Sequence, residues 1–355
     1  MRVRTLTPTL ALAATFALPA PPLAAQVNLA AEGDRLPELT EWTVPYEESR
    51  PRDPMVAPDG DVWFVGQRSD YVAVLDPESG EFNKYDLDEG AGPHNLVVAD
   101  DGMVFYTGNR ASHLGKLDPA TGEIEKFMMP DPSIRDPHTL ILDSQGDMWF
   151  TAQGGNVVGK FWRETGEIRL VQAPEVSDSP RGGSSRPYGI VMDSQDQPWI
   201  ALFNTNQIGT VDPETFEMIT YDLPHPDARP RRIGLTSDDI VWYVDYARGY
   251  LGRLDPETSE VREWMMPSGE GARPYAMAVD DSDRVWFVET GVEPNMFVGF
   301  DPMTEQFIEG VPLESGGGTV RHMTFDPDTN QIWFGADTNT IGVAKLPPRR
   351  RAVSD

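Results

Sequence analysis

A phrase of nearly constant length recurs seven times along this chain: a proline, a variable residue, an aliphatic run, a polar turn and an aromatic anchor. It runs Pro51 to Trp63, Pro93 to Phe105, Pro137 to Trp149, Pro187 to Trp199, Pro230 to Trp242, Pro274 to Trp286 and, without its proline, Val320 to Trp333. The first six copies share a spacing of twelve residues, and the seventh is one residue longer. A unit of about 43 residues that repeats in this way buries its apolar face only against its neighbours.

Each anchor is followed by a second phrase, as in His113-Leu114-Gly115-Lys116-Leu117-Asp118-Pro119 with Thr121-Gly122-Glu123. The Asp-Pro-x-Thr-Gly element is a tight turn: Asp bonds the backbone ahead of it, Pro fixes φ and Gly accepts positive φ. A strand such as Glu125 to Pro130 follows, so each unit holds four short strands and no helical period. Four strands per repeat and seven anchors predict an all-β, seven-bladed β-propeller over 40–346. The last unit ends after Ile341 to Leu346 without its outer strand, while the chain begins with an unmatched strand, Thr40 to Pro45. The N-terminal strand is therefore expected to complete the last blade and close the ring, which removes the exposed edges of an open solenoid.

The flanks read differently. Residues 1–25 carry Arg2 and Arg4, an apolar run from Leu10 to Leu18 and small residues up to Ala25, the layout of a secretory signal peptide, too short to span a bilayer. A linker over 26–39 and a basic tail over 347–355, with Arg349 to Arg351, complete the domain reading. The expected location is periplasmic or secreted, with no membrane span and a monomeric ring. The absence of cysteine excludes thiolate catalysis and cysteine metal sites. The formal charge of −28 becomes −30 without Arg2 and Arg4, a surface that repels nucleic acid.

Because the repeat fixes geometry, the residue after each proline is expected at the same height in every blade, facing the central channel. Around the ring these are Arg52, His94, His138, Tyr188, Arg231, Tyr275 and Arg321; the insertion in the last unit makes His322 an alternative to Arg321. A cationic and aromatic ring in so acidic a protein suits an anionic or carbonyl-rich small molecule. Its bland alternative is a plug paired with acids such as Asp53, Asp136, Asp245 and Glu289. The residues before the prolines are Arg50, Gly92, Asp136, Arg186, Arg229, Arg273 and Thr319. Asp136-Pro137-His138 thus sets a carboxylate and an imidazole two residues apart, with His94 on the adjacent blade and Gln153 beyond the Trp149 anchor. Such a group can hold a hard divalent ion and accept a proton.

At these residues, as in Arg186-Pro187-Tyr188-Gly189-Ile190 and Trp149-Phe150-Thr151, the chain resembles the streptogramin B lyase (virginiamycin B lyase) family, over essentially the whole mature sequence. The resemblance implies a seven-bladed propeller that opens a cyclic depsipeptide by elimination across an ester. It further implies Mg²⁺ held by acidic residues and a His base in a Glu-Pro-His motif on the last blade. Here that blade reads Thr319-Val320-Arg321, and the similar pair sits on blades two and three, as Gly92-Pro93-His94 and Asp136-Pro137-His138. Carried over to those positions, His138 becomes the base, His94 and Arg186 its partners at the leaving oxygen, and Asp136 with Gln153 the metal ligands. Competing readings are a lactone hydrolase, a non-catalytic propeller that binds an anionic ligand through Arg52, Arg231 and Arg321, and an envelope scaffold. The insertion Ala173 to Arg186 lies at the same mouth, as a lid or a plain connector.

Overall fold

The computed structural model describes residues 36–176 and 183–348. The leader over 1–25, most of the linker and tail, and the centre of the Ala173 to Arg186 insertion lie outside the described residues. Seven sheets of four antiparallel strands each form the ring, and the one helical element among the described residues is a single turn at Gly269–Gly271. No helix among the described residues is long and apolar enough to cross a membrane.

In the first six blades the strands run outward in chain order, and burial falls from the axis to the rim. In blade two the inner strand Pro93–Val98 and its neighbour Val104–Gly108 are buried throughout, while the outer strand Ile124–Met128 alternates between half-buried and exposed. Apolar clusters lie between adjacent sheets: Trp286, Val288 and Phe297 of blade six pack with Met323, Ile332 and Phe334 of blade seven. The anchor rings are core, none more than 6% exposed. Burying one such ring contributes about 4–6 kcal/mol before ordering costs.

The glycine of the Leu-Gly-Lys/Arg-Leu phrase has a steric cause. A Cβ on Gly252 would stand 2.0 Å from the ring of Tyr243 on the neighbouring strand, and one on Gly115 would stand 2.1 Å from Tyr106. The outer turns form as expected: Asp118 Oδ1 accepts the Ala120 N–H at 2.8 Å, and Gly122 has φ +73°.

The first strand, Glu38–Thr43, pairs with Thr340–Lys345 from Glu38 opposite Lys345 to Thr43 opposite Thr340, and so completes the seventh sheet. Trp42 stacks on Trp333 with ring centroids 5.6 Å apart. Glu41 accepts hydrogen bonds from Thr340 at 3.0 Å and from Ser315, at the end of blade six, at 2.6 Å.

Candidate functional site

Each inner strand breaks register with its neighbour near its start, after the first residue in six blades and after Arg52 in blade one; in blade three the shift falls between Pro137 and Leu140. Proline offers no N–H to the ladder, and the residue before it is left-handed in five blades: Arg50, Gly92, Asp136, Arg186 and Arg273 have φ between 44° and 63°. The N–H that follows the second strand bonds back to that carbonyl, Gln153 to Asp136 at 3.1 Å and Phe203 to Arg186 at 3.2 Å. The resulting bulge turns two successive side chains toward the axis, and two layers of residues meet there.

The upper layer is the ring expected from the repeat. The imidazoles of His94 and His138 lie with centroids 3.6 Å apart, and His138 packs on Tyr188 at 4.1 Å. The Tyr188 and Tyr275 hydroxyls are in direct contact across the channel. Arg231 lies over the Tyr275 ring at 3.5 Å. Arg52 donates to Gln67 Oε1 at 3.0 Å, and Arg321 donates to both carboxylate oxygens of Asp337, at 3.2 and 2.5 Å. Arg321 thus holds the upper position in the seventh blade, and His322 belongs to the layer below.

That lower layer was not anticipated. Arg232, buried, spans the channel: its Nη2 lies 3.4 Å from Asp53 Oδ2, Nη1 donates to Thr139 Oγ1 at 3.1 Å, and Nε donates to the Arg321 carbonyl at 3.0 Å. One side chain of blade five so ties blades one, three and seven into a floor beneath the mouth. Asp53 also accepts from Asn95 Nδ2 at 3.1 Å and lies 3.5 Å from Arg52. Burial raises the Asp53 pKa, but Arg52, His322 and Arg232 outweigh it and hold the carboxyl below its ordinary range. Of the four acids expected to pair with the ring, Asp53 does so; Asp245 binds Arg248, and Glu289 binds Ser268. The acid that neutralises Arg321 is Asp337, which also lies 3.5 Å from Arg50.

Both imidazoles are neutral. Burial, reinforced at His138 by Arg232 and Arg52 and at His94 by Arg52 and its partner imidazole, drives their pKa values well below 6.5. His138 Nδ1 lies 2.8 Å from Thr139 Oγ1, which fixes the plane of the ring. Asp136 stands at the rim, with the Asn109 amide donating to its carboxylate and to the Pro137 carbonyl. Burial raises its pKa against the pull of Asn109 and Arg186. Asn156 positions Arg186 by accepting its backbone N–H at 3.1 Å, and Arg186 Nη2 donates to Gln153 Oε1 at 2.8 Å.

These donors do not fit a magnesium ion. Asp136 already accepts an amide N–H, Gln153 already accepts a guanidinium, and among the described residues no three His, Cys, Asp or Glu side chains cluster as a ligand set. Two outer grooves of about 340 and 490 Å³, lined by residues such as Trp242 and Met303 or Phe105 and Trp162, include no residue of either layer.

Fold and axial layers together define a seven-bladed propeller with a cluster of polar, charged and aromatic side chains on its axis. Residues 37–344 match the virginiamycin B lyase family, and the chain belongs to that family. A virginiamycin B lyase from Staphylococcus aureus superimposes with a TM-score of 0.76 at 25% identity, over 87% of this chain and 99% of that one. A streptogramin B lyase structure gives 0.76 at 26%, over 88% and 98%. A catalytically inactive histidine-to-alanine form of the S. aureus enzyme with quinupristin gives 0.77 at 25%, over 87% and 99%. Comparison with curated protein sequences gives no match.

Proposed function

We propose that this protein is a carbon–oxygen lyase, exported and acting as a single ring, which opens a cyclic ester or depsipeptide by elimination. The observation that carries the reading is the pair of buried neutral imidazoles, His94 and His138, facing one another at the mouth of a lyase-family propeller. At ordinary pH both imidazoles are in the unprotonated form that a general base requires, while burial and the neighbouring cations lower their basicity. His138 Nδ1 is engaged with Thr139 Oγ1, and in the tautomer that carries the proton on Nδ1 the lone pair sits on Nε2.

In this reading His138 takes the proton from the carbon next to a carbonyl, the carbon–carbon double bond forms, and the β-carbon–oxygen bond breaks. The ester oxygen leaves as a carboxylate, with no water consumed. Arg52 and Arg186 stabilise the charge that develops on the carbonyl and the leaving group, and His94 holds the base in place. Magnesium enters no step.

The test is a panel of cyclic depsipeptides, with quinupristin first, analysed by mass spectrometry. Elimination opens the ring at unchanged mass and creates a conjugated double bond; hydrolysis adds one water and would instead identify a lactone hydrolase. His138→Ala is expected to abolish turnover while the fold persists, and equal turnover in that variant would refute the assignment. Export is tested by whether residues 1–25 are absent from protein recovered outside the cytoplasm.

A further inference from the structure

We infer that the quarter of the mouth around Arg231 is a receptor for a small oxyanion, a carboxylate or a phosphate. This inference does not rest on the elimination chemistry. The guanidiniums of Arg52, Arg232, Arg321 and Arg186 each have a partner in the protein: Arg52 donates to Gln67 and lies 3.5 Å from Asp53, Arg232 also reaches Asp53, Arg321 pairs with Asp337 and Arg186 with Gln153. Arg231 has no carboxylate within ion-pair distance among the described residues. It lies instead among rings, 3.5 Å from the centroid of Tyr275, 4.3 Å from Tyr246 and 4.7 Å from Phe203. Its Nη2 makes one long contact of 3.4 Å to the Tyr188 hydroxyl, and its Nε has no hydrogen-bond partner.

A half-buried guanidinium that lacks a counter-charge is costly to keep, and cation–π contacts offset only part of that cost. Stacking leaves its hydrogen-bonding edge as the way to satisfy it. The unpartnered Nε and the weakly engaged Nη2 form the edge that pairs side-on with two oxygens of one anion. An anion that displaces the long Tyr188 contact would accept Nε–H on one oxygen and Nη2–H on the other, and the phenol would turn to donate a third bond. Among the described residues the mouth gathers guanidiniums in a chain of charge −28, so an anion is drawn toward it.

Tyr275 reports the strength of this field. Burial should raise its pKa, yet Arg231, Arg52, Arg232 and Arg321 pull it down to about 8. The groups facing it are Tyr188, Tyr246 and those four guanidiniums. A bound anion and an ionised Tyr275 would compete for the same cation.

Calorimetric titration of the wild-type protein with succinate and with inorganic phosphate, and with neutral succinamide as control, tests the site without reading turnover. At pH 6.5 we expect saturable binding of succinate, phosphate or both, none of succinamide, and at least tenfold weaker binding in Arg231→Gln. Succinate alone identifies a carboxylate receptor, and phosphate alone a phosphate receptor. Succinate should bind about tenfold more weakly at pH 9, as Tyr275 ionises near pH 8, and Tyr275→Phe should abolish that fall. The pH arm stands even if Arg231→Gln does not fold. Absence of binding by both anions, or binding unchanged in a folded Arg231→Gln, overturns the proposal. Binding with no elimination activity would leave the site in place and remove only the lyase reading.

Discussion

Arg232 and Asp53, buried on opposite sides of the channel, meet with Nη2 3.4 Å from Oδ2. The pair sits one layer beneath the candidate base, and the same guanidinium holds Thr139, the partner of His138. The floor of the mouth and the orientation of the base are therefore coupled.

Removing Arg232 leaves the buried Asp53 under-compensated, with Arg52 and Asn95 as its remaining partners, and cuts the ties to Thr139 and the Arg321 carbonyl. Arg232→Met is expected to cost about 3–5 kcal/mol in urea denaturation. Adding Asp53→Asn to that variant should return part of the loss, since the stranded carboxylate is gone. Additive costs in the double variant would show that the two residues do not interact.

Stability should fall in mild acid. The buried histidines have folded pKa values well below 6.5, so the unfolded chain binds protons first as pH drops. Full stability is expected above about pH 6.5, with a loss of about 1.4 kcal/mol per pH unit for each of His94 and His138 below it, until their folded pKa values are reached. Asp53, whose folded pKa is also depressed, adds a loss of the same sign once pH falls below the ordinary carboxylate range. Thermal melts across this range check the slope, and a variant with both histidines replaced by glutamine should make its upper part shallower, with His322, held down to about 3, contributing what remains.

Gly252→Ala forces a Cβ to within 2.0 Å of the Tyr243 ring. That ring is fully buried, so the sheet must shift, and a cost of about 1–3 kcal/mol is expected from chemical denaturation. An unchanged midpoint would mean that the ring moves freely.

Calorimetry with Mg²⁺ is expected to show no stoichiometric binding, because Asp136 Oδ1 and Gln153 Oε1 are engaged by N–H donors and no three acidic or imidazole side chains cluster among the described residues. A one-to-one isotherm abolished in Asp136→Ala would restore a metal to the site.

The ring of blades and its upper layer were legible because both follow from one spacing. Twelve residues from proline to aromatic set every blade in the same register, so Arg52, His94 and Tyr275 meet although long stretches of chain separate them. The lower layer escaped because strict alternation turns the second residue after each proline away from the axis. The bulge that reverses this leaves a compositional trace: Asp53, Asn95, Thr139, Arg232 and His322 are polar at positions that a buried strand would fill with aliphatic side chains. Asp337 escaped for a related reason, since its partner is fixed by the end of the second strand and not by the repeated phrase. Among Gln67, Asn109, Gln153, Phe203, Tyr246, Thr290 and Asp337, which share that place, it is the single acid.

The pairing of Glu38–Thr43 with Thr340–Lys345 joins the earliest described strand of the chain to the latest. The first strand leaves the ribosome about 300 residues before its partner exists, so it must wait, unpaired, for the whole array to be made. A nascent chain that stops short in any blade, or one that lacks Glu38–Thr43, keeps two raw sheet edges and never seals. The closing strand thus acts as a check on completeness: only a full-length product hides its adhesive edges, and a truncated one advertises itself to chaperones and proteases.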